Sequence, residues 1–206
     1  KEKQNMATDI KAKTFVPQSA STTAIAAAQT LSGAGNMNLT GSSVNDGSNM
    51  ATTVTLTSTG NISGVTFTVT GTDASGESAT EDITGPNNNT VTGSTAFLTV
   101  TQIAADGAVS TNTSAGFTAT TTGQGIVFAG RTRIRGIQAF SDNTAGNVNF
   151  KDGSQSGSSL LSIYTGAADY DVEPYIPDDG VLFANGAYVD MQATQVLEGL
   201  TVFFDG

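Results

Sequence analysis

The chain has 206 residues and carries 18 acids against 8 bases, a net charge of −10, with no histidine, cysteine or tryptophan. That composition excludes a disulfide scaffold and histidine-based catalysis or metal ligation, and an acidic surface repels nucleic acid and anionic lipid. Gly, Ser, Thr, Asn and Ala dominate and only 13% of residues are charged, so the chain reads as folded and all-β rather than disordered.

Residues 1–35 read as an extended N-terminal arm. Codons for Lys1-Glu-Lys-Gln-Asn5 can contain a ribosome-binding-like AGGAG just upstream of the Met6 codon, so residues 1–5 read as translated leader rather than native protein. Lys11 and Lys13 make the arm basic, a candidate anchor on an acidic partner. Residues 22–31 are Ala-rich after Ser and Thr, which suits a short helix. Thr22, Thr23 and Ile25 are β-branched, which suits an extended segment, and both readings stay open. The longest apolar run, residues 24–28, falls far short of the roughly 20 residues that span a bilayer, so no membrane partner is expected.

A first β-sandwich domain is predicted over residues 36–122. Residues 53–57 (TVTLT) and 65–70 (VTFTVT) alternate apolar and polar side chains, the signature of half-buried strands. In the second of these, Val65, Phe67 and Val69 take one face and three threonines the other. A loop over 71–76 should return the chain as a partner strand over 77–84. Further strands are predicted at 90–92, 96–103 and 116–122.

Residues 120–125 (TTTGQG) read as a linker. A second domain, a β-sandwich or jelly roll, is predicted over 125–206. Its strands are expected at 125–129, 132–140, 147–151, 160–164, 172–176, 181–183, 187–192 and 200–204. Turns are expected at Ser141-Asp-Asn143, Asp152-Gly153, Pro177-Asp-Asp-Gly180 and Asn185-Gly186, since Asn-Gly and Asp-Gly tolerate positive φ. A core of that size without disulfides gains from oligomerisation.

The stretch Ala129-Gly-Arg-Thr-Arg-Ile-Arg-Gly136 holds three arginines, although no base occurs between Thr14 and Gly130. In an extended segment Arg131, Arg133 and Arg135 share one face, opposite Thr132 and Ile134. Three like charges on one face call for acids. Asp169, Asp171, Glu173, Asp178 and Asp179 are the candidates, from the same domain or from a neighbouring subunit. Two roles compete: a contact with another subunit or a capsid, which suits the planar guanidinium, and a solvated ion-pair ladder worth a few tenths of a kcal/mol per pair. Asp178 and Asp179 could supply oxygen to Ca²⁺, but Pro-Asp-Asp-Gly is first of all a turn. The same holds for residues 73–77 and 141–143, and none has the spacing of a calcium loop. No metal, cofactor or catalytic residue is expected; two carboxylates alone can hydrolyse glycosides, but nothing places a pair across a cleft.

Residues 60–103 (GNISGVTFTVTGTDASGESATEDITGPNNNTVTGSTAFLTVTQI) resemble a β-domain common in virion proteins of tailed bacteriophages. So do GRTRIRGIQAF, VNFKDGSQSGSSLLSIYT, IPDDGVLFANGAYVDM and GLTVFF in the C-terminal half. The resemblance implies a non-enzymatic structural protein on the virion surface, with the major capsid protein or other virion proteins as partners. A capsid decoration or cement role is expected, with many copies each making a modest contact. Self-association is expected as well, and a trimer would match local capsid symmetry. A tail, adaptor or fibre component touching the host, or a bacterial adhesin or surface-layer module, is the alternative.

Overall fold

Alternating Thr-Val segments separated by Gly and Asn have no means of making helix here: β-branched side chains crowd the helical turn, and period-two apolarity fits only a pleated surface. The computed structural model, which describes residues 9–40, 49–119, 124–142, 144–168, 170–191 and 197–206, is all-β, built of antiparallel sheets of sandwich type. In chain order the strands begin with β1 (Lys11–Phe15), β2 (Ser21–Leu31), β3 (Gly35–Asn36), β4 (Thr52–Ser58), β5 (Thr66–Thr72) and β6 (Ser78–Thr84). They continue with β7 (Thr90–Phe97), β8 (Thr99–Ala105), β9 (Val109–Phe117), β10 (Gln124–Phe128), β11 (Thr132–Ser141) and β12 (Gly146–Asp152). The last are β13 (Ser159–Thr165), β14 (Asp171–Val172), β15 (Val181–Phe183), β16 (Ala187–Met191) and β17 (Leu197–Asp205).

The chain forms two compact units. One is Val16–Gly125; the other combines the chain up to Phe15 with Ile126–Gly206. The Val16–Gly125 unit has two four-stranded sheets, ordered β2-β9-β4-β7 and β3-β8-β5-β6. Its core lies between them: Ile25, Val54, Leu56, Phe97 and Phe117 come from one sheet, and Phe67, Val69, Ile83, Val100 and Ile103 from the other. Phe67 and Val69 point inward and the threonines of β5 outward, as the alternation requires. β5 and β6 form the expected hairpin, with Thr66 opposite Thr84 and Thr72 opposite Ser78.

The other unit also has two sheets, one ordered β1-β17-β11-β14 with β15 beside β11, the other β10-β16-β12-β13. Phe15, Ile134, Val202 and Phe204 from the first and Val148, Phe150, Val189 and Met191 from the second are buried. The turns read at 152–153, 177–180 and 185–186 are present. Gly153, Gly180 and Gly186 have positive φ, and the Gly180 N–H donates to the Pro177 carbonyl at 2.7 Å.

Three expectations change. The N-terminal arm is strand: β1 pairs with β17 from Lys11 opposite Phe204 to Phe15 opposite Leu200, and β2 pairs with β9. The reason is burial. Phe15, Ile25 and Ala26 have no exposed surface, and apolar groups of that kind are not left on a free arm. The two domains are therefore not consecutive, because the Val16–Gly125 unit is inserted between β1 and the rest of its own unit. Second, the single strand expected over 96–103 is two, β7 and β8, in different sheets; the chain changes sheet at Leu98, whose N–H donates to the Thr72 carbonyl. Third, the strand expected over 116–122 is β9, which starts at Val109 and ends at Phe117. The leader reading of residues 1–5, most of the linker at 120–125, Asn143 and Asp169 lie outside the described residues.

Candidate functional site: the arginine cleft

β11 is a strand because Thr132, Ile134, Ile137 and Ala139 supply an inward apolar row, all buried. Arg133 and Arg135 take the outer face, as expected; Arg131 lies just before the strand and is exposed. Against β17, Arg133 stands opposite Asp205 and Ile134 opposite Phe204, but Gly136 is next, opposite Phe203. Arg135 is thus the extra residue of a β-bulge, and the bulge re-aims its side chain.

That geometry selects the carboxylate. Asp205 Oδ2 accepts from Arg135 Nε at 2.8 Å, and Asp205 Oδ1 accepts from the Arg133 N–H at 3.1 Å. The Arg135 side chain is 27% exposed and that of Asp205 8%, so this ion pair is shielded more than a surface pair. The hydroxyl of Thr132 donates to the Asp205 carbonyl, fixing the end of β17.

The remaining guanidinium donors go to backbone. Arg133 Nη1 donates to the Asp179 carbonyl at 2.9 Å and Arg135 Nη1 to the Asp178 carbonyl at 2.6 Å. Asp178 and Asp179 therefore meet the arginines, but through main-chain oxygens rather than carboxylates. The 177–180 turn lies directly on the arginine stems. A β-carbon on Gly180 would come within 2.7 Å of the Ile134 carbonyl oxygen and 3.0 Å of Arg135 Cδ, and the φ of +69° already favours glycine. Of the other described candidates, neither Asp171 nor Glu173 joins the arginines. Glu173 accepts from Gln138 Nε2 at 3.3 Å, and Asp171 stands opposite Phe140 on β14.

Arg131 has no hydrogen bond or ion pair among the described residues. With Thr132, Arg133, Arg135, Leu182, Asp205 and Gly206 it lines an open cleft of ≈ 300 Å³. Three of the chain's eight basic residues and Asp205 line it together, with Asp178 and Asp179 in the adjoining turn.

Lys11 and Lys13 are not presented on an arm. Lys11 Nζ donates to the Gly206 carbonyl at 2.6 Å and lies 5.5 Å from the centre of the Phe128 ring. Lys13 Nζ donates to the Ile126 carbonyl at 2.7 Å and lies 5.7 Å from the Phe15 ring centre. Burial pushes the Lys13 pKa below its ordinary value, because desolvation disfavours the ammonium.

Sequence reasoning missed two acids. Asp205 is buried directly after Phe204, out of phase with the inward Val202 and Phe204, so the period-two pattern does not mark it. Asp190 sits in the wholly buried β16 and meets Lys151 Nζ at 2.6 Å; a lone acid inside an apolar strand was the available signal. Among the described residues no group of three or more His, Cys, Asp and Glu could hold a metal ion. Asp73 spends its carboxylate on the N–H groups of Ser75 and Glu77, an Asx turn. Comparison with known proteins gives no matching family, no matching curated sequence and no matching solved structure.

Proposed function

We propose that this chain is a non-enzymatic structural protein of a tailed-phage virion, a decoration protein that binds the outer shell through many weak contacts. The resemblance over residues 60–103 and across the C-terminal half supports the phage setting. The observation that carries the binding role is the arginine cleft. Arg133 and Arg135 are tied to β17 and the 177–180 turn, which leaves Arg131 at the rim to meet an acidic group of a shell protein. An anionic chain that approaches a large assembly benefits from one cationic contact point, and repetition over many copies turns a modest contact into firm retention.

Quantitative mass spectrometry of purified virions gives the direct test. Copies on the order of hundreds per particle fit shell decoration. About a dozen would move the protein to a neck or tail ring, and absence from the particle would overturn the reading. Arg131→Gln should weaken binding to preformed capsids, make it less salt-sensitive and leave unfolding unchanged. Unaltered binding would remove the cleft from the contact.

A further inference from the structure

We propose that β13 is a self-association edge: two copies pair their β13 strands antiparallel about a two-fold axis, joining two four-stranded sheets into one. The inference is independent of the virion reading.

β13 ends the order β10-β16-β12-β13, so it pairs on one side only. β15 of the facing sheet comes near it without forming a ladder. An unpaired strand side is a template for another strand, and proteins usually block it with charge, bulges, brevity or a covering segment. The other described edges each carry at least one such device. On the edge strand β7 these are an irregularity between Thr92 and Ala96 and the capture of its Ser94 and Thr95 N–H groups by Glu81. β1 carries Lys11 and Lys13. β10 has Lys13 Nζ on the Ile126 carbonyl. β2 is irregular against β9, and its Ile25 and Ala24 carbonyls accept from Thr40. β6 carries Glu81 and Asp82, and the Glu81 carboxylate accepts the Ser94 and Thr95 N–H groups of β7. β3 and β14 have two residues each and β15 has three.

β13 has only one such device, a bulge at Leu160, and is regular from Leu161 to Thr165. No charged residue occurs from 153 to 168. That neutrality argues for a second copy as the occupant. Two chains of net −10 repel except where they meet through an uncharged surface, and this edge is one. The exposed face of β13 also matches itself. Leu160 (45% exposed), Ser162 and Tyr164 (65% exposed) share it. An antiparallel pairing centred on Ser162 or Ile163 sets Tyr164 of each copy opposite or diagonal to Leu160 of the other, an aromatic–aliphatic cross-strand contact formed twice.

Sedimentation of the full chain over a concentration series tests this, with hydrogen exchange on the same samples. The expected result is a dimer with protected β13 amides. Leu160→Lys with Tyr164→Lys should raise the dimer dissociation constant about tenfold or more and expose those amides, with the circular dichroism of the wild type retained. Tyr175→Lys, at an 86% exposed position off the strand, should leave the dimer intact. A wild type that is monomeric at every concentration, a trimer, or a dimer indifferent to the double substitution would each overturn the proposal.

Discussion

Arg135 and Asp205 show why a chain so poor in bases gathers three arginines. Two of them hold the fold: one carboxylate takes the Arg135 Nε and the Arg133 N–H, while the guanidinium ends hold the 177–180 turn. Arg135→Gln leaves a nearly buried carboxylate with a single neutral donor, which should cost about 2 kcal/mol of stability. Adding Asp205→Asn should cost less than the sum of the two single changes by about 1 kcal/mol, because both remove one interaction. Urea unfolding of the four proteins measures it, and strict additivity would show that the pair contributes nothing. The alternation of Arg-Thr-Arg-Ile-Arg was enough to place Arg133 and Arg135 on the outer face. It could not name Asp205, 70 residues from Arg135, because that pairing depends on the β11–β17 register and on the bulge that re-aims Arg135. Nor could it tell whether Asp178 and Asp179 would act through carboxylate or carbonyl, since the turn sets that.

At the scale of elements, what the sequence made legible was local. β4, β5, β6, β11 and β12 lie within about two residues of the predicted strands, because period-two apolarity and Gly or Asn turns are written in neighbouring residues. β2 was ambiguous because Ala-rich sequence has no strand bias of its own; it is extended because β9 offers it a ladder. That ladder depends on close approach at Gly116. A β-carbon there would overlap the Ser21 carbonyl oxygen, so the backbone of β2 can cross β9 only over a glycine. Gly116→Ala should therefore destabilise the Val16–Gly125 unit by about 3 kcal/mol. Gly33→Ala, where nothing lies within 4 Å, should change it by no more than about 0.5 kcal/mol. Circular dichroism in a urea series on both variants checks this, and an equal effect of the two would mean that β2 does not pack as described.

For the whole molecule, sequence order misleads, because strands are counted along the chain while units are defined in space. β1 looked like part of an arm since its partner, β17, lies at the other end of the chain and no pattern within residues 11–15 announces it. The consequence is an unequal dependence of the two units on chain continuity. Residues 16–125 hold both sheets of their sandwich and its entire core, so this fragment expressed alone should fold and melt cooperatively. The other unit needs β1: Phe15 is fully buried in it, and losing a buried phenylalanine alone costs about 3–5 kcal/mol, a large part of a small domain's stability. All four tyrosines, at 164, 170, 175 and 188, belong to that unit, so tyrosine fluorescence reports it selectively while circular dichroism reports both. Removing residues 1–15 should abolish or sharply lower the fluorescence transition and leave the remaining dichroism transition where the isolated 16–125 fragment has it. A synthetic peptide of residues 9–16 should restore the fluorescence transition in part, by re-adding β1 beside β17. An unfolded 16–125 fragment, or a truncated chain whose tyrosine transition does not move, would show that the inserted unit and its host do not divide at Phe15 and Gly125.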